Sequence, residues 1–184
     1  SVPNRAEFGD LVRNQFHEAT RLGVEIETGV TLDAAEVLRR RPHSVVVATG
    51  ARPARPYWAP GDEHRIVDVI EVLDGAAAPS GRVVVLDELG FHQATSVAEL
   101  LADRGCDVEV ITPGMVVGQD LGITLDLETW WMRAESKGIV QTTELVPMGW
   151  DQGTLTLQHH PTGTMHERTP DWVVLAVPAT PAEE

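Results

Sequence analysis

The sequence predicts an α/β fold in which a parallel sheet carries an antiparallel β-meander, and three observations predict it. Short β-branched runs, SVVVAT at 44–49, RVVVL at 82–86, DVEVIT at 107–112 and WVVLAV at 172–177, are apolar enough to be buried on both faces, as parallel strands are. Between them lie segments whose apolar residues recur at three- and four-residue steps. Late in the chain, polar-alternating stretches are separated by turn signals. A βαβαβ unit with right-handed crossovers follows from this order, which makes the sheet Rossmann-like.

Each element has a local reason. Phe8, Leu11, Val12, Phe16 and Ala19 form one face of a helix over 5–22, which Gly23 stops. Val24–Thr28 alternates as a strand, 31–40 reads as a helix capped by Thr31, and 44–49 as a buried parallel strand. The stretch 51–80 holds Pro53, Pro56, Pro60 and Pro79 with many Ala and Gly residues, so it is expected to be a linker with a helical turn or two over 67–73. From 81 the pattern is strand 82–86, helix 93–104, strand 107–112, helix 125–137 and strand 139–143. Three meander strands (144–150, 154–160, 164–169) turn at Asp151-Gln152-Gly153 and Pro161-Thr162-Gly163, and 172–177 returns to the parallel sheet.

Composition narrows the function classes. A formal charge of −14, from 28 acidic and 14 basic residues, repels nucleic acid and anionic lipid, so neither is expected as a partner. The run Arg39-Arg40-Arg41 falls where a helix ends and complements its dipole. One cysteine, Cys106, precludes a disulfide or a cysteine-ligated iron–sulfur cluster within these residues and fits a cytoplasmic setting; it reads as a small core residue. No stretch has the roughly 20 apolar residues of a membrane span. A start at Ser1-Val2-Pro3-Asn4, without methionine, leads to the expectation of an excised segment.

The stretches NRAEFGDLV, VVVATGARPARP, DELGFHQATSVAELLADRG and TLDLETWWMRAESKGI resemble the C-terminal nucleotide-binding region of the trimethylamine dehydrogenase, histamine dehydrogenase and 2,4-dienoyl-CoA reductase family, the NADH:flavin oxidoreductases related to old yellow enzyme. The resemblance implies a flavoprotein oxidoreductase in which a barrel bearing FMN and a 4Fe-4S cluster precedes two nested Rossmann-like domains. On that plan 1–50 is a partial FAD- or ADP-binding-type domain lacking its glycine-rich first strand, 51–80 the linker, 81–178 an NAD(P)-binding-like domain with a degenerate phosphate loop, and 179–184 a tail. The catalytic barrel is the implied partner, and a homo-oligomer is compatible with it. Without the first strand, Val45-Val46-Val47 lacks a neighbour, so either another polypeptide piece completes the sheet or its edge is exposed.

The resemblance places Val30, Ala48, Thr49, Gly50 and Ala51 beside bound FAD or ADP, where a glycine after the strand lets a cofactor approach the backbone. The second nucleotide site falls at Asp87-Glu88-Leu89-Gly90-Phe91-His92-Gln93, where G-x-G-x-x-G would open the helix. Only Gly90 remains of that pattern, with Phe91 and His92 beside it, and two carboxylates stand where a pyrophosphate would sit. At an effective dielectric of ~20 a like charge within ~4 Å costs about 4 kcal/mol, against about 0.3–1 kcal/mol from the helix dipole. Ile111-Thr112-Pro113 offers no acid for a ribose hydroxyl, so NAD(P) is doubtful here and the site reads as vestigial. Asp87, Glu88 and His92 then read first as solvated loop residues, or else as contacts to a partner domain or to the parent protein's flavin pocket.

Other candidates carry less. His159-His160 and His166 are not expected to bind metal, because adjacent strand residues point to opposite faces. Trp130 should face the sheet while Trp131 covers a neighbouring surface. Gly118–Gly122 either lines a cleft at the carboxyl end of the sheet or is a flexible loop. No catalytic residue is assigned. The competing reading is a nucleotide-fold module that serves interdomain or subunit contacts and holds no ligand.

Overall fold

A computed structural model describes residues 7–61 and 63–182. The described residues divide into two compact units, one of residues 7–51 with 181–182 and the other within 52–180.

The smaller unit begins with α1 (Phe8–Arg21), followed by α2 (Ala34–Arg40). Asp33, not Thr31, caps α2: its carboxylate accepts the Glu36 N–H at 2.8 Å. The basic run closes this helix as its charge suggests. Arg39 and Arg40 both donate to Glu36, and Arg40 also reaches Glu27 at 3.0 Å. Neither expected strand forms, since 24–28 and 44–49 pair with nothing in a ladder. No described residue of the unit is buried, and Val45, Val46 and Val47 are 56%, 89% and 77% exposed. The physical reason is the missing neighbour: a parallel strand without a partner leaves its N–H and C=O groups to water.

The chain passes to the larger unit within β1 (Ala51–Arg52). The expected linker is more structured than its prolines suggest. The Arg55 guanidinium donates to the carbonyls of Pro60, Glu63 and Ile66, and the chain then enters β2 (Ile66–Asp68) and α3 (Val69–Asp74). Asp68 and Glu71 form a reciprocal capping box, which explains why helix starts where the strand ends. The apolar set read as helix over 67–73 is thus split between two elements.

Next come β3 (Arg82–Asp87), α4 (His92–Asp103), β4 (Asp107–Ile111), a 3₁₀ turn at Gln119–Gly122, α5 (Leu127–Ser136) and β5 (Val140–Thr142). The meander is β6 (Leu145–Asp151), β7 (Thr154–His159) and β8 (Thr164–Arg168). It is followed by β9 (Trp172–Ala176) and the two-residue β10 (Thr180–Pro181), where the chain leaves the unit. The parallel sheet has the order β2-β9-β3-β4-β5, and β6-β7-β8 forms a separate antiparallel sheet.

Alternation along the strands builds three layers. Val83 and Val85 of β3, Val108 and Val110 of β4, and Val174 and Ala176 of β9 pack with Ala94, Val97, Leu101, Trp130 and Ala134 of the helices. On the other face Val84, Leu86, Val173 and Leu175 meet Leu145, Trp150, Leu155 and Leu157 of the meander. Trp130 is fully buried, with Nε1 donating to Gln141 at 3.2 Å, and Trp131 lies at the surface. Cys106 is half-buried, its Sγ 3.4 Å from the Pro79 carbonyl.

Two acids are held by arginine partners, Glu109 between the sheet and the meander and Glu99 between two helices. Glu109 accepts both arms of Arg168 (2.8 and 3.0 Å) and the Thr142 hydroxyl, tying sheet to meander. Glu99 of α4, 1% exposed, accepts Arg133 Nε of α5 at 3.0 Å, and Arg133 extends to Asp126 at 3.5 Å. Glu99→Ala removes the nearer of Arg133's two carboxylate partners and leaves Asp126. It is therefore expected to lower the unfolding free energy by about 1.5–3 kcal/mol, the usual range for a hydrogen bond to a charged group, in urea titrations followed by tryptophan fluorescence. In hydrogen exchange, the amides of Val45–Val47 should exchange orders of magnitude faster than those of Val83–Val85, the same three residues in paired strands.

Candidate functional site at the carboxyl end of the sheet

Ligands of open parallel sheets bind beyond the carboxyl ends of the strands, and there the loop after β3 meets the loop after β4. A cleft of about 340 Å³ is lined by Asp87, Glu88, Leu89, Gly90, Thr112, Pro113, Gly114, Val116, Gln119 and Asp120. It is acidic on both sides and has no basic wall.

The centre of this arrangement is Asp87. As the last residue of β3 it is paired with Ala176 of β9 and is 0% exposed, which corrects its reading as a solvated loop residue. Oδ1 accepts the Gly90 N–H at 2.7 Å, and Oδ2 accepts the Gly118 N–H at 2.9 Å. The loops are joined again where the Asp120 N–H donates to the Gly90 carbonyl at 2.8 Å. Burial raises the Asp87 pKa above its ordinary 3.8. The N–H groups of Gly118, Gly90 and Leu89 oppose that rise, and the charge of Asp120 adds to it.

Gly118 cannot be replaced without cost. Its φ is +68°, and a Cβ there would lie 3.0 Å from both Leu121 Cδ1 and Thr95 Cγ2. The stretch 118–122 is thus a cleft-lining turn packed on α4.

Of the three residues expected around the second nucleotide, only Gly90 lines the cleft. Phe91 is the N-cap residue of α4 and is half-buried against the helix-side core; the His92 ring lies 4.4 Å from that of Phe91, with Nδ1 4.0 Å from Asp126. The first-site set lies in the smaller unit. Val30 and 48–51 are exposed, Gly50 has φ +75° with no atom within 4 Å of where a Cβ would lie, and Thr49 Oγ1 donates to the Ala182 carbonyl at 2.7 Å.

A second polar cluster escaped the sequence reading. The Trp150 indole N–H donates to Glu63 Oε2 at 2.9 Å, the Arg65 guanidinium pairs with Glu63 at 3.2 Å, and Arg65 lies 5.3 Å from the Trp150 ring centre. The guanidinium and the indole hold Glu63 down at a pKa of about 2. No spacing announces a contact between residues 63 and 150. The rings of His159 and His166 are 6.4 Å apart on the meander, and His159 Nδ1 meets Thr162 Oγ1 at 2.7 Å. Among the described residues no group of three His, Cys, Asp or Glu side chains is arranged for a metal ion, and no helix is long and apolar enough to cross a membrane.

No family model matches the chain. It is 29% identical over 99% of its length to the N,N-dimethylglycine/sarcosine dehydrogenase of Chromohalobacter salexigens, of which it covers 28%. It is 35% identical over 59% of its length to the bilirubin reductase of Mediterraneibacter gnavus, of which it covers 17%. Among solved structures it superposes over 100% of its length on 6-hydroxypseudooxynicotine amine oxidase from Pseudomonas geniculata N1, with a TM-score of 0.89, 23% identity and 29% of that chain covered. Histamine dehydrogenase from Rhizobium sp. 4-9 gives a TM-score of 0.82 at 17% identity, with 30% of that chain covered. The chain thus spans less than a third of each of these proteins.

Two of the perturbed acids, Glu63 and Asp87, make opposite contributions with pH. For Glu63 the folded pKa of about 2 lies below the ordinary carboxyl value of 4.5, so its stabilization is complete above that value and is lost as pH falls toward 2. The stability difference between the natural chain and Glu63→Gln, read from melting temperatures at stepped pH, should therefore shrink between pH 5 and pH 2. For Asp87, raised in the fold, stability falls as pH rises from 3.8 through the folded pKa, and its carboxyl carbon should titrate by NMR with a midpoint above 3.8.

Proposed function

This chain is a relative of the C-terminal nucleotide-fold region of the trimethylamine dehydrogenase, histamine dehydrogenase and 2,4-dienoyl-CoA reductase family, and on that premise we propose that it is the corresponding part of a flavin-dependent oxidoreductase. The smaller unit holds ADP or FAD, and the larger unit supports a catalytic barrel that carries FMN and a 4Fe-4S cluster. Hydride or electron chemistry belongs to cofactors in that barrel, and this chain contributes binding and scaffolding. The observation that carries the reading is the full-length match to the dimethylglycine/sarcosine dehydrogenase together with the superposition on an amine oxidase over all of this chain.

The smaller unit's state agrees with that role. Its helix α1 carries exposed Phe8, Leu11, Val12 and Phe16, and its two strand segments have no ladder partners. A glycine-rich strand inserted beside Val45–Val47 supplies both the missing ladder and the N–H donors for a pyrophosphate. For the larger unit a second reading has its own support: the acidic cleft and the engaged Gly90 loop favour a nucleotide-fold module used for contacts alone.

The encoded reading frame around this sequence is expected to contain a glycine-rich fingerprint, a cysteine cluster and a barrel pattern; a frame without them would remove the first reading. In the intact protein, Gly50→Val should weaken ADP or FAD retention by about tenfold in calorimetry, because a β-branched residue at φ +75° costs about 1–3 kcal/mol. Unchanged retention of both ligands would move the flavin or ADP site elsewhere. NADH should give no heat with either form.

A further inference from the structure

A phosphate loop works by pointing free backbone N–H groups at an anion near a helix N-terminus. Here the loop before α4 and the turn before the 3₁₀ segment each offer such an N–H, from Gly90 and from Gly118. Both already point at an anion, and the anion belongs to the protein. Asp87 is placed for this by the sheet: it ends the central strand β3, with β9 and β4 on either side. Its two oxygens divide between two loops separated in sequence, so one carboxylate fixes the geometry of both.

We propose that the Asp87 carboxylate is a built-in replacement for the phosphate of a nucleotide, closing the site after β3 by occupying its N–H donors from within. Asp87 is thus a positioning residue. It supplies the negative charge that a Rossmann loop otherwise takes from its ligand, and it holds the two loops in a ligand-bound-like arrangement. This differs from a loop that has merely lost its glycines, because the donors are present and satisfied. It differs also from simple repulsion by Glu88 and Asp120, whose carboxylates line the cleft. The buried Asp87 charge costs less than it would alone because Gly118, Gly90 and Leu89 all direct N–H groups to it. The inference holds whether or not the smaller unit carries ADP or flavin.

The test separates occupation from repulsion. In the full 184-residue chain, Glu88→Gln with Asp120→Asn removes the cleft's other charges and keeps Asp87. Inorganic pyrophosphate is then titrated while the Gly90 and Gly118 amides are followed by ¹⁵N NMR. The double variant is expected to stay silent. Adding Asp87→Ala should give saturable shifts of both amides, with binding at least about tenfold tighter than any seen before. Pyrophosphate shifts in the double variant would assign the closure to repulsion and overturn the proposal, as would a folded triple variant whose two amides ignore pyrophosphate. If the triple variant fails to fold, Asp87→Asn alone decides by hydrogen exchange. An amide side chain replaces one acceptor oxygen by a donor, so at least one of the two glycine amides must lose protection; protection of both at the natural level overturns the proposal.

Discussion

A buried strand needs at least one neighbour to pair its backbone, and this requirement decides where the chain is ordered into sheet. The larger unit satisfies it at its centre: β3 is flanked by β9 and β4, and its side chains pass alternately into the helix layer and the meander layer. The smaller unit does not. Val83-Val84-Val85 is 1%, 3% and 0% exposed, whereas the identical triplet Val45-Val46-Val47 stays in water. Composition cannot separate the two. What separates them is whether the backbone N–H and C=O groups find partners, since an unpaired polar backbone cannot be carried into a core.

That difference explains what was legible in the sequence. Residues 82–176 were readable almost element by element because each apolar run there has its partners in the same stretch of chain. The meander turns were readable for a local reason: Gln152 and Gly153 both take positive φ between β6 and β7, as a two-residue hairpin turn requires. In the smaller unit the two helices form where their apolar periodicity indicates, whereas the two strands do not, because a pattern states what a segment would bury and not whether a neighbour exists. Between these cases lies 51–80, where prolines indicated a connector. The three residues of β2 were hidden because their pairing with Val173–Leu175 is set more than a hundred residues later.

For the candidate site the sequence conveyed charge but not burial. Two carboxylates at 87 and 88 were visible, and so was the missing glycine pattern. The alternation of β3 was also visible, yet it did not reveal that the strand runs one residue further and carries Asp87 inside with it. A buried carboxylate and a solvated one look alike in a sequence; they differ only in which N–H groups converge on them. Gly118 stood out only as part of the stretch 118–122, read as a cleft lining or a flexible loop; its donor role depends on a turn that folds back over α4. The Glu63–Arg65–Trp150 cluster was out of reach for the same reason, being a contact across the fold.

The exposed valines have a consequence for how the chain behaves among copies of itself. Residues 44–49 are uncharged, β-prone and unpaired, the features that let segments from different molecules stack edge to edge. At neutral pH the formal charge of −14 keeps such molecules apart. Near the isoelectric point of about 4.8 that repulsion vanishes, and any copy in which 44–49 has no strand beside it keeps an edge free to pair. Colloidal stability in this chain is thus supplied by its acidic surface, and the margin narrows in mildly acidic solution well before the Glu63 carboxylate that helps hold the larger unit together is protonated.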